Sequence, residues 1–368
     1  MSARAGTFGG RTALLWLASL VIGGLLLWLA RARLGVSLWP DVFTLERPQL
    51  LWIAIALVVP YAWIRAARLR WVLDPLVAEA SGDPRARFDR GHLLGSGWVS
   101  YVVLMILPFK VGEVSRPLLL AAARQPGVGV PEAVGAVGIE RIVDGLLVCA
   151  MLFGGIAASD AVRFPLGDDL ADVQWFGQWM LAAFGLALVV ALWVSRAPAR
   201  WGARVQSVFA FAGPRLAEAL ARAVERLGHA FAQLAELRRV LPLALASIVY
   251  WSLTILQLAL VAAACGVDLG APEAATVVAI VGLSIQLPGG PAQTGTFQVG
   301  AGAAVSLFVD PVAHADGVGS FVALMFAVQL GGAVAMALPG AGLSAAGRRR
   351  AAAAPADTTS VSPRSQGG

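Results

Sequence analysis

The sequence predicts an all-α polytopic membrane protein with about six full spans and two broken helical hairpins, arranged as an inverted repeat. Apolar residues make up 58% of the 368 positions and charged residues only 14%, whereas soluble domains carry about 25% charged residues. The apolar surplus falls in blocks of about 20 residues, the length that crosses about 30 Å of hydrocarbon. Proline and glycine interrupt two further apolar stretches, which therefore do not fit as simple spans.

Six blocks are predicted to cross the membrane: Thr12–Ala30, Leu50–Ile64, Ala133–Ala158, Trp179–Ser195, Val240–Ala264 and Val318–Leu338. The first block follows Arg4 and Arg11, as a signal peptide would. It is longer than a usual signal core, and Arg31 and Arg33 follow it instead of a small-residue cleavage site. We therefore expect it to be retained as a helix.

The loop charges predict the orientation. Arginines crowd the segments 65–90, 196–239 and 348–350, whereas the loops 159–178 and 265–273 are acidic. Because cytoplasmic loops are rich in arginine and lysine, both termini are predicted to be cytoplasmic. The net charge of +6 therefore reflects membrane orientation, and no nucleic-acid partner is expected. Arginine replaces lysine almost everywhere and alanine is abundant, which indicates a GC-rich bacterial genome and the cytoplasmic (inner) membrane.

Two apolar stretches, Gly91–Ala123 and Glu273–Val309, must each enter and leave on the same side, because the charges on both flanks predict the same side. Each is broken midway, so each is predicted to form a re-entrant or short two-pass hairpin with its apex inside the membrane. The predicted apex residues are Pro108, Gly112, Pro288, Gly289, Gly290 and Gly295.

These elements predict one transmembrane domain over residues 1–346, followed by a disordered cytoplasmic tail over 347–368. Residues 12–158 contain two spans, a hairpin entering from inside and a third span; residues 179–338 repeat this order with the hairpin entering from outside. Halves of opposite orientation are typical of transporters that bind substrate near the midplane. The alternative is eight ordinary spans with slightly misplaced loops.

A predicted cytoplasmic segment over 199–239 separates the first and second spans of the second half. Within it, Pro214–Arg239 is amphipathic, with leucines at helical spacing and arginines elsewhere on the wheel. Two interpretations are equally open: a helix lying along the membrane interface, where arginines meet anionic headgroups, or a helix packed on the rest of the protein.

Charged residues at membrane depth are costly and normally pair or face a cavity. Two clusters fit this description. In a helix Arg141 and Asp144 lie on one face, so these two are predicted to pair, which leaves Glu140 for Arg116 or Lys110. The clusters contain Lys110, Glu113 and Arg116 after the first apex, and Glu140, Arg141 and Asp144 in the third span.

The clusters have two interpretations. They form either a buried ion-pair network that fixes helix register, or a binding site in which Lys110, Arg116 and Arg141 hold a lipid phosphate. In the second interpretation Glu113, Glu140 and Asp144 orient those cations or carry protons. The second apex is polar but uncharged, which suits a cavity wall or helix packing equally. No metal, cofactor or catalytic motif stands out, so no cofactor is expected and the protein is predicted not to be an enzyme.

At these residues the sequence resembles the flippase-like family named after the membrane region of lysylphosphatidylglycerol synthase. The matches are Pro108 with Gly112, Glu113 and Arg116; Glu140-Arg141 with Asp144; and Pro288-Gly289-Gly290 followed by Gly295. The family often has an acid three residues after that last glycine, where this sequence has Gln298. The resemblance covers about residues 14–338.

The resemblance implies a pseudo-symmetric domain that handles a lipid, either a phospholipid or a polyprenyl-linked lipid. About 20 residues follow Arg348, too few for an aminoacyl-transfer domain, so that activity is not expected. Without a nucleotide-binding motif, movement is expected to be passive or ion-coupled. A non-transporting scaffold for an envelope or lipid synthesis enzyme is the main alternative, and a membrane enzyme acting on a headgroup is a third. The oligomeric state is not predicted.

Overall fold

The computed structural model describes residues 5–34, 40, 42–159, 169–234, 236–310 and 313–353, and all regular secondary structure in these residues is helical. The α-helices, numbered in chain order, are α1 (Ala5–Leu34), α2 (Pro48–Ala56), α3 (Val58–Ala67), α4 (Arg70–Ser81), α5 (Arg90–Ile106), α6 (Ser115–Ala121), α7 (Val130–Ala158), α8 (Asp169–Arg196), α9 (Pro198–Val208), α10 (Pro214–Leu234), α11 (Leu237–Ala264), α12 (Ala271–Ser284), α13 (Thr296–Ser306) and α14 (Ala315–Ala353).

Six helical stretches of the described residues are long and apolar enough to cross a membrane, which confirms the predicted polytopic all-α class. They are Ala13–Ala32, Pro48–Ser81, Val130–Ala158, Gln174–Arg196, Leu237–Ala264 and Ala315–Arg349. Each overlaps one of the six predicted spans, and five of them contain the predicted span entirely.

The second span is much longer than predicted, because α2, α3 and α4 follow one another almost without interruption. The predicted span ends at Ile64 because Arg65 begins the arginine-rich segment 65–90, which the charge pattern assigns to the cytoplasm. That segment has about 15 residues and covers only about 22 Å, short of the hydrocarbon thickness. The helix instead continues through Arg65 and Arg68, both of which are buried.

Two broken hairpins occupy the predicted positions. In the first, α5 ends at Ile106 and a 3-10 turn over Pro108–Val114 leads into α6. In the second, α12 ends at Ser284 and α13 begins at Thr296, with a short 3-10 turn between them. The returning arms α6 and α13 cover only about 10 and 16 Å, which favours the re-entrant form over the two-pass form.

The apex glycines allow close backbone approach. A Cβ at Gly112 would lie 2.5 Å from the Cα of Leu104, on the preceding arm of its own hairpin. In the second hairpin, a Cβ at Gly23 of α1 would lie 2.7 Å from the Cα of Gly290. The Ser19 hydroxyl donates a hydrogen bond of 3.0 Å to the carbonyl of Gly289. Helix α1 therefore packs directly on the second apex.

The two apices also meet each other inside the protein. Leu104, Met105 and Leu107 of the first hairpin and Leu287 and Gly290 of the second line one small space of about 20 Å³. The helix breaks thus lie side by side, between helices that reach the lipid.

The hairpins pack reciprocally on the last span of the opposite half. Helix α5 lies against α14, where a Cβ at Gly95 would come within 2.4 Å of the Gly340 carbonyl oxygen. Helix α12 lies against α7, where a Cβ at Gly155 would come within 2.3 Å of the Thr276 hydroxyl. A two-fold axis relating the halves would produce this exchange. The inverted repeat itself stays a prediction.

Helix α10 is the predicted amphipathic segment, and it packs on α7, α8 and α9 rather than standing apart from the protein. Its buried positions are small: Ala217, Ala221, Gly228 and Ala230. The turn between α9 and α10 is apolar and open, with Phe211 84% exposed. The helix thus has a packed face, its placement along the membrane interface stays a prediction, and the turn presents aromatic surface.

The tail was predicted to be disordered from residue 347, but α14 continues to Ala353. The residues Arg348 to Ala353 are arginine and alanine, which are good helix formers and extend the preceding helix. Residues 354–368 lie outside the described part of the chain.

We expect Gly23→Val to destabilise the fold by about 1–3 kcal/mol, because a side chain there must separate α1 from the second apex. Thermal unfolding of the purified protein in detergent, followed by tryptophan fluorescence, measures the loss. Gly24→Val is the matched control, since a Cβ at Gly24 meets nothing within 4 Å. Equal melting temperatures for both variants would contradict the assigned contact.

Candidate functional site

Helix α7 carries the second predicted charge cluster in a single turn. Glu140 and Asp144 are buried, at 2% and 8% exposure, and lie four residues apart on the inner face of the helix. Arg141 is half-buried. Glu140 lies about ten residues, or about 15 Å, from the start of the helix, well inside a stretch long enough to span the membrane.

Arg68 is the centre of the charge network. Its Nη1 and Nη2 each donate a hydrogen bond of 2.6 Å to one oxygen of Asp144, so the pair is bidentate. Nη2 also donates to Glu140, at 2.6 Å, and Nη1 to the Ser247 hydroxyl, at 2.7 Å. A guanidinium matches this arrangement because its donors lie in a rigid planar fork.

Arg116 is the second cation of the network. Its Nη1 donates a hydrogen bond of 2.6 Å to the same Glu140 oxygen that Arg68 contacts. The predicted pairing of Glu140 with Arg116 is therefore confirmed. The other predicted partner was Lys110, whose side chain lies outside the described part of the structure. Arg116 is buried and also contacts the carbonyl of Arg65.

The predicted ion pair between Arg141 and Asp144 is wrong. Asp144 is held by Arg68 and by the indole N–H of Trp251, at 3.2 Å. Two facing helices thus supply its donors, and they meet the carboxylate more directly than a neighbour on its own helix. Within the part of the chain that the structure describes, Arg141 has neither a hydrogen bond nor an ion pair.

A cavity of about 260 Å³ adjoins the network. Both predicted halves line it, through α3, α5 and α7 on one side and α11, α12, α14 and the second apex on the other. Its polar lining includes two cations that the network does not use, Arg141 and Arg65, together with Glu113. The Arg65 guanidinium lies over the Tyr101 ring, 4.0 Å from its centroid. Arg116 is not among the residues that line this space.

The charges of the network cancel, since Arg68 and Arg116 balance Glu140 and Asp144. Arg65, Arg141 and Glu113 remain. Among the described side chains of the lining itself, three arginines face three carboxylates, and the surplus of one positive charge comes from Arg116, which lies outside the lining and pairs with Glu140. Because the surrounding medium is apolar, such a surplus is felt more strongly than it would be in water.

The second apex contributes uncharged polar groups. Gln286 and Gln293 line the cavity. Gln298 does not; it is fully buried, and its side-chain oxygen accepts a hydrogen bond of 2.7 Å from the N–H of Gly295. A carboxylate at this position would accept the same bond, so Gln298 keeps the structural contact that an acid would make and omits the charge.

Sequence reasoning missed Arg65, Arg68, Tyr101, Ser247 and Tyr250. Two signals pointed to the arginines. The predicted second span was too short for the bilayer, and Tyr61, Arg65 and Arg68 continue it on one helical face. Nothing in the sequence distinguishes Ser247 or Tyr250 from other polar residues in a span.

Comparison with known proteins gives one match. A family model described as the lysylphosphatidylglycerol synthase TM region matches residues 16–344, which include both hairpins, the charge network and the cavity. No curated protein and no solved structure matches the chain.

We expect Glu140→Gln to destabilise the protein by about 3–5 kcal/mol, because Arg68 and Arg116 would both lose a buried counter-charge. Denaturant titration of the purified protein measures the change. The control is Glu218→Gln, which removes an exposed helical ion pair with Arg222 and should cost less than about 0.5 kcal/mol. Similar losses for the two variants would show that the network does not stabilise the fold.

Proposed function

The chain belongs to the lysylphosphatidylglycerol synthase transmembrane-region family, and on this premise we propose that it is a flippase-like lipid transporter rather than an enzyme. Its substrate is a phosphate-bearing lipid, and the headgroup enters the cavity between the halves. The observation that carries this proposal is Arg141, a cation that lines the cavity while other arginines hold the neighbouring carboxylates.

A lipid phosphate fits the chemistry of this surface. A guanidinium donates two parallel hydrogen bonds to a phosphate, and the bonds are strong because both groups are charged. No residue in the described part of the chain engages the donors of Arg141, and Arg65 lines the same space. Leu104, Phe184 and Val281 also line the cavity, so its wall is apolar where acyl chains would pass into the bilayer.

The remaining charges hold the site in shape. Glu140 and Asp144 fix Arg68 and Arg116, and in this proposal Arg116 supports the cavity wall instead of contacting phosphate as predicted from the sequence. A phosphate-binding role for Lys110 stays a prediction. Proton transfer by Glu113, Glu140 or Asp144 also stays a prediction, and both carboxylates of the network are already hydrogen-bonded to arginines.

The adjacent helix breaks support the proposal that a headgroup is transported and not only bound. Broken helices at membrane depth are tolerated where they line a cavity, and transporters bind substrates at such breaks. Here both apices border one another and the second borders the cavity. The lipid is a phospholipid or a polyprenyl-linked lipid, and its chains stay in the hydrocarbon while the headgroup crosses.

A non-transporting scaffold for a membrane enzyme of lipid or envelope synthesis is the second candidate. The observation that favours it is the aromatic turn between α9 and α10, where Phe209 and Phe211 lie 6.1 Å apart and are exposed. A membrane partner would cover such a surface. Lipid movement by the purified protein alone separates the two candidates.

In this proposal the protein lies in the bacterial cytoplasmic membrane with both termini inside. The arginine-rich segment α9–α10 then faces the cytoplasm, as the positive-inside rule requires. At the opposite end of the protein, Arg47 forms a bidentate ion pair with Asp268, donating hydrogen bonds of 2.7 and 3.1 Å. These bonds lower the pKa of Asp268, which lies in the loop between α11 and α12.

We expect Arg141→Ala to slow lipid movement about tenfold or more, since a hydrogen bond between charged groups contributes about 1.5–3 kcal/mol. Fluorescent phospholipids in proteoliposomes report the rate through quenching of the outer leaflet by dithionite. Arg141→Lys should retain part of the rate, because it keeps the charge.

Arg222→Ala is the matched control for this experiment, because Arg222 is exposed on α10 and far from the cavity lining. It should leave the rate unchanged. Wild-type protein that moves no lipid would exclude the transporter and favour the scaffold, whereas an Arg141→Ala variant as fast as wild type would remove Arg141 from the mechanism.

The orientation has its own test. Both native cysteines, Cys149 and Cys265, are buried, so a single introduced cysteine should dominate labelling by a membrane-impermeant maleimide. In intact cells we expect Ala271→Cys to react and Ser207→Cys to react only after permeabilisation. The reverse pattern would invert the proposed topology.

A further inference from the structure

We infer that the lipid taken by this cavity is anionic and carries an uncharged, hydroxyl-bearing headgroup, and that lipids with a cationic headgroup are rejected. The inference rests on the proposed function and specifies its substrate. It depends on which charges of the lining are already engaged, on what covers the aromatic rings, and on the neutral polar groups that remain.

The acids that line the cavity are engaged elsewhere. Asp144 accepts hydrogen bonds from Arg68 and Trp251, and Glu140 accepts from Arg68 and Arg116. Glu113 likewise has an interaction of its own. An ammonium group entering the cavity would therefore have to displace an existing partner from one of these carboxylates, and it would meet the positive charges of Arg65 and Arg141.

Two tyrosine rings of the cavity are already engaged by cations of the protein. Rings of tyrosine and tryptophan attract ammonium groups through their faces. Here the Arg65 guanidinium lies 4.0 Å from the Tyr101 ring centroid, and the Arg68 guanidinium 4.6 Å from that of Tyr250. Each of these two tyrosine rings thus has an arginine of the protein over one face. A quaternary or primary ammonium headgroup would compete with these intramolecular contacts and would lie close to like charge.

The neutral groups of the lining suit hydroxyls. Gln286 and Gln293 come from the second apex, and Gln329 from α14. An amide side chain both donates and accepts hydrogen bonds, as a hydroxyl does. The Tyr61 hydroxyl, which lies 3.2 Å from that of Tyr250, adds another group of the same kind. A glycerol or sugar headgroup on a phosphate would find the anion-binding arginines and these amides in one space.

The size of the space agrees with a headgroup rather than a whole lipid. Sites that enclose a drug-sized ligand measure about 300–1,000 Å³, and this cavity has about 260 Å³. A phosphate with a glycerol unit is smaller than such ligands. The acyl chains would therefore lie outside the cavity, as the proposed transport requires.

This inference differs from what the name of the family suggests. Lysylphosphatidylglycerol carries two ammonium groups on its lysyl ester, and the lipid has a net positive charge. In this lining each carboxylate already has an interaction of its own, and the ammonium groups of that ester would lie near the positive charges of Arg65 and Arg141. The unmodified phosphatidylglycerol, which has one negative charge and free hydroxyls, fits the same surface.

The test is a competition for lipid retention. Purified protein is equilibrated with equal amounts of phosphatidylglycerol, phosphatidylethanolamine and lysylphosphatidylglycerol, and native mass spectrometry reads the lipids that stay bound. We expect phosphatidylglycerol to exceed each of the others about tenfold or more. Arg141→Glu should reduce this ratio about tenfold, because it places an anion where the phosphate binds. Arg222→Glu, a charge reversal on the exposed face of α10, should not change it.

A second arm tests the hydroxyls, with phosphatidic acid added as an anionic lipid that lacks a headgroup alcohol. Phosphatidylglycerol should still be favoured, and Gln293→Leu should remove that preference without altering the rejection of cationic lipids. If Arg141→Glu does not fold, as judged by its melting curve, Arg141→Gln replaces it with a smaller expected change in the same direction.

The outcomes separate the two proposals. Retention of lysylphosphatidylglycerol at or above the level of phosphatidylglycerol would overturn the inference and leave lipid transport open. Selective retention of phosphatidylglycerol by a protein that moves no lipid in proteoliposomes would overturn the transporter and uphold the inference. No retained lipid of any class would overturn both.

Discussion

The structure depends on one buried cation, the guanidinium of Arg68. A charge at this depth is costly unless counter-charges and hydrogen bonds compensate it. Arg68 obtains them from Asp144 and Glu140 on α7 and from Ser247 on α11, while Arg116 attaches α6 through Glu140. The network therefore joins the second span, the first hairpin, the third span and a helix of the second half. None of these elements can shift alone without leaving a charge exposed to hydrocarbon.

The same network determines the chemistry of the cavity beside it. Because Arg68 and Arg116 engage Glu140 and Asp144, these carboxylates cannot neutralise Arg141, although it lies between them in the sequence. The carboxylates nearest to Arg141 on its own helix thus pair with arginines of other helices. The sequence presented a buried ion-pair network and a phosphate site as alternatives for one cluster. In the proposed function they are two parts of one arrangement: the pairs fix the helix register, and Arg141, which they leave unpaired among the described residues, lines the cavity.

The spans and apices could be predicted from the sequence, because hydropathy, proline and glycine act locally along the chain. Pairing between helices could not, since helical spacing shows only which residues share a face. Helical spacing placed Arg141 and Asp144 on one face of α7. It gave no information on the facing helix, which supplies Arg68 as the partner of Asp144. The charge count along loops added an error of its own. It assigned Arg65 and Arg68 to the cytoplasm, because a positive charge near the end of a span indicates orientation only when water surrounds it.

The packing of the hairpins limits which helices can separate in the proposed transport. Helix α5 touches α14 through Gly95 and Gly340, and α12 touches α7 through Gly155 and Thr276. Rocking of one sequence half against the other would separate both of these close contacts at once. It would also detach α1 from the second apex at Gly290. Motion along the sequence halves is therefore opposed by these contacts, while the Arg116–Glu140 ion pair ties α6 of the first hairpin to α7 as well. The cavity is lined by α5, α7, α12 and α14, so any opening of it must work against one of these contacts.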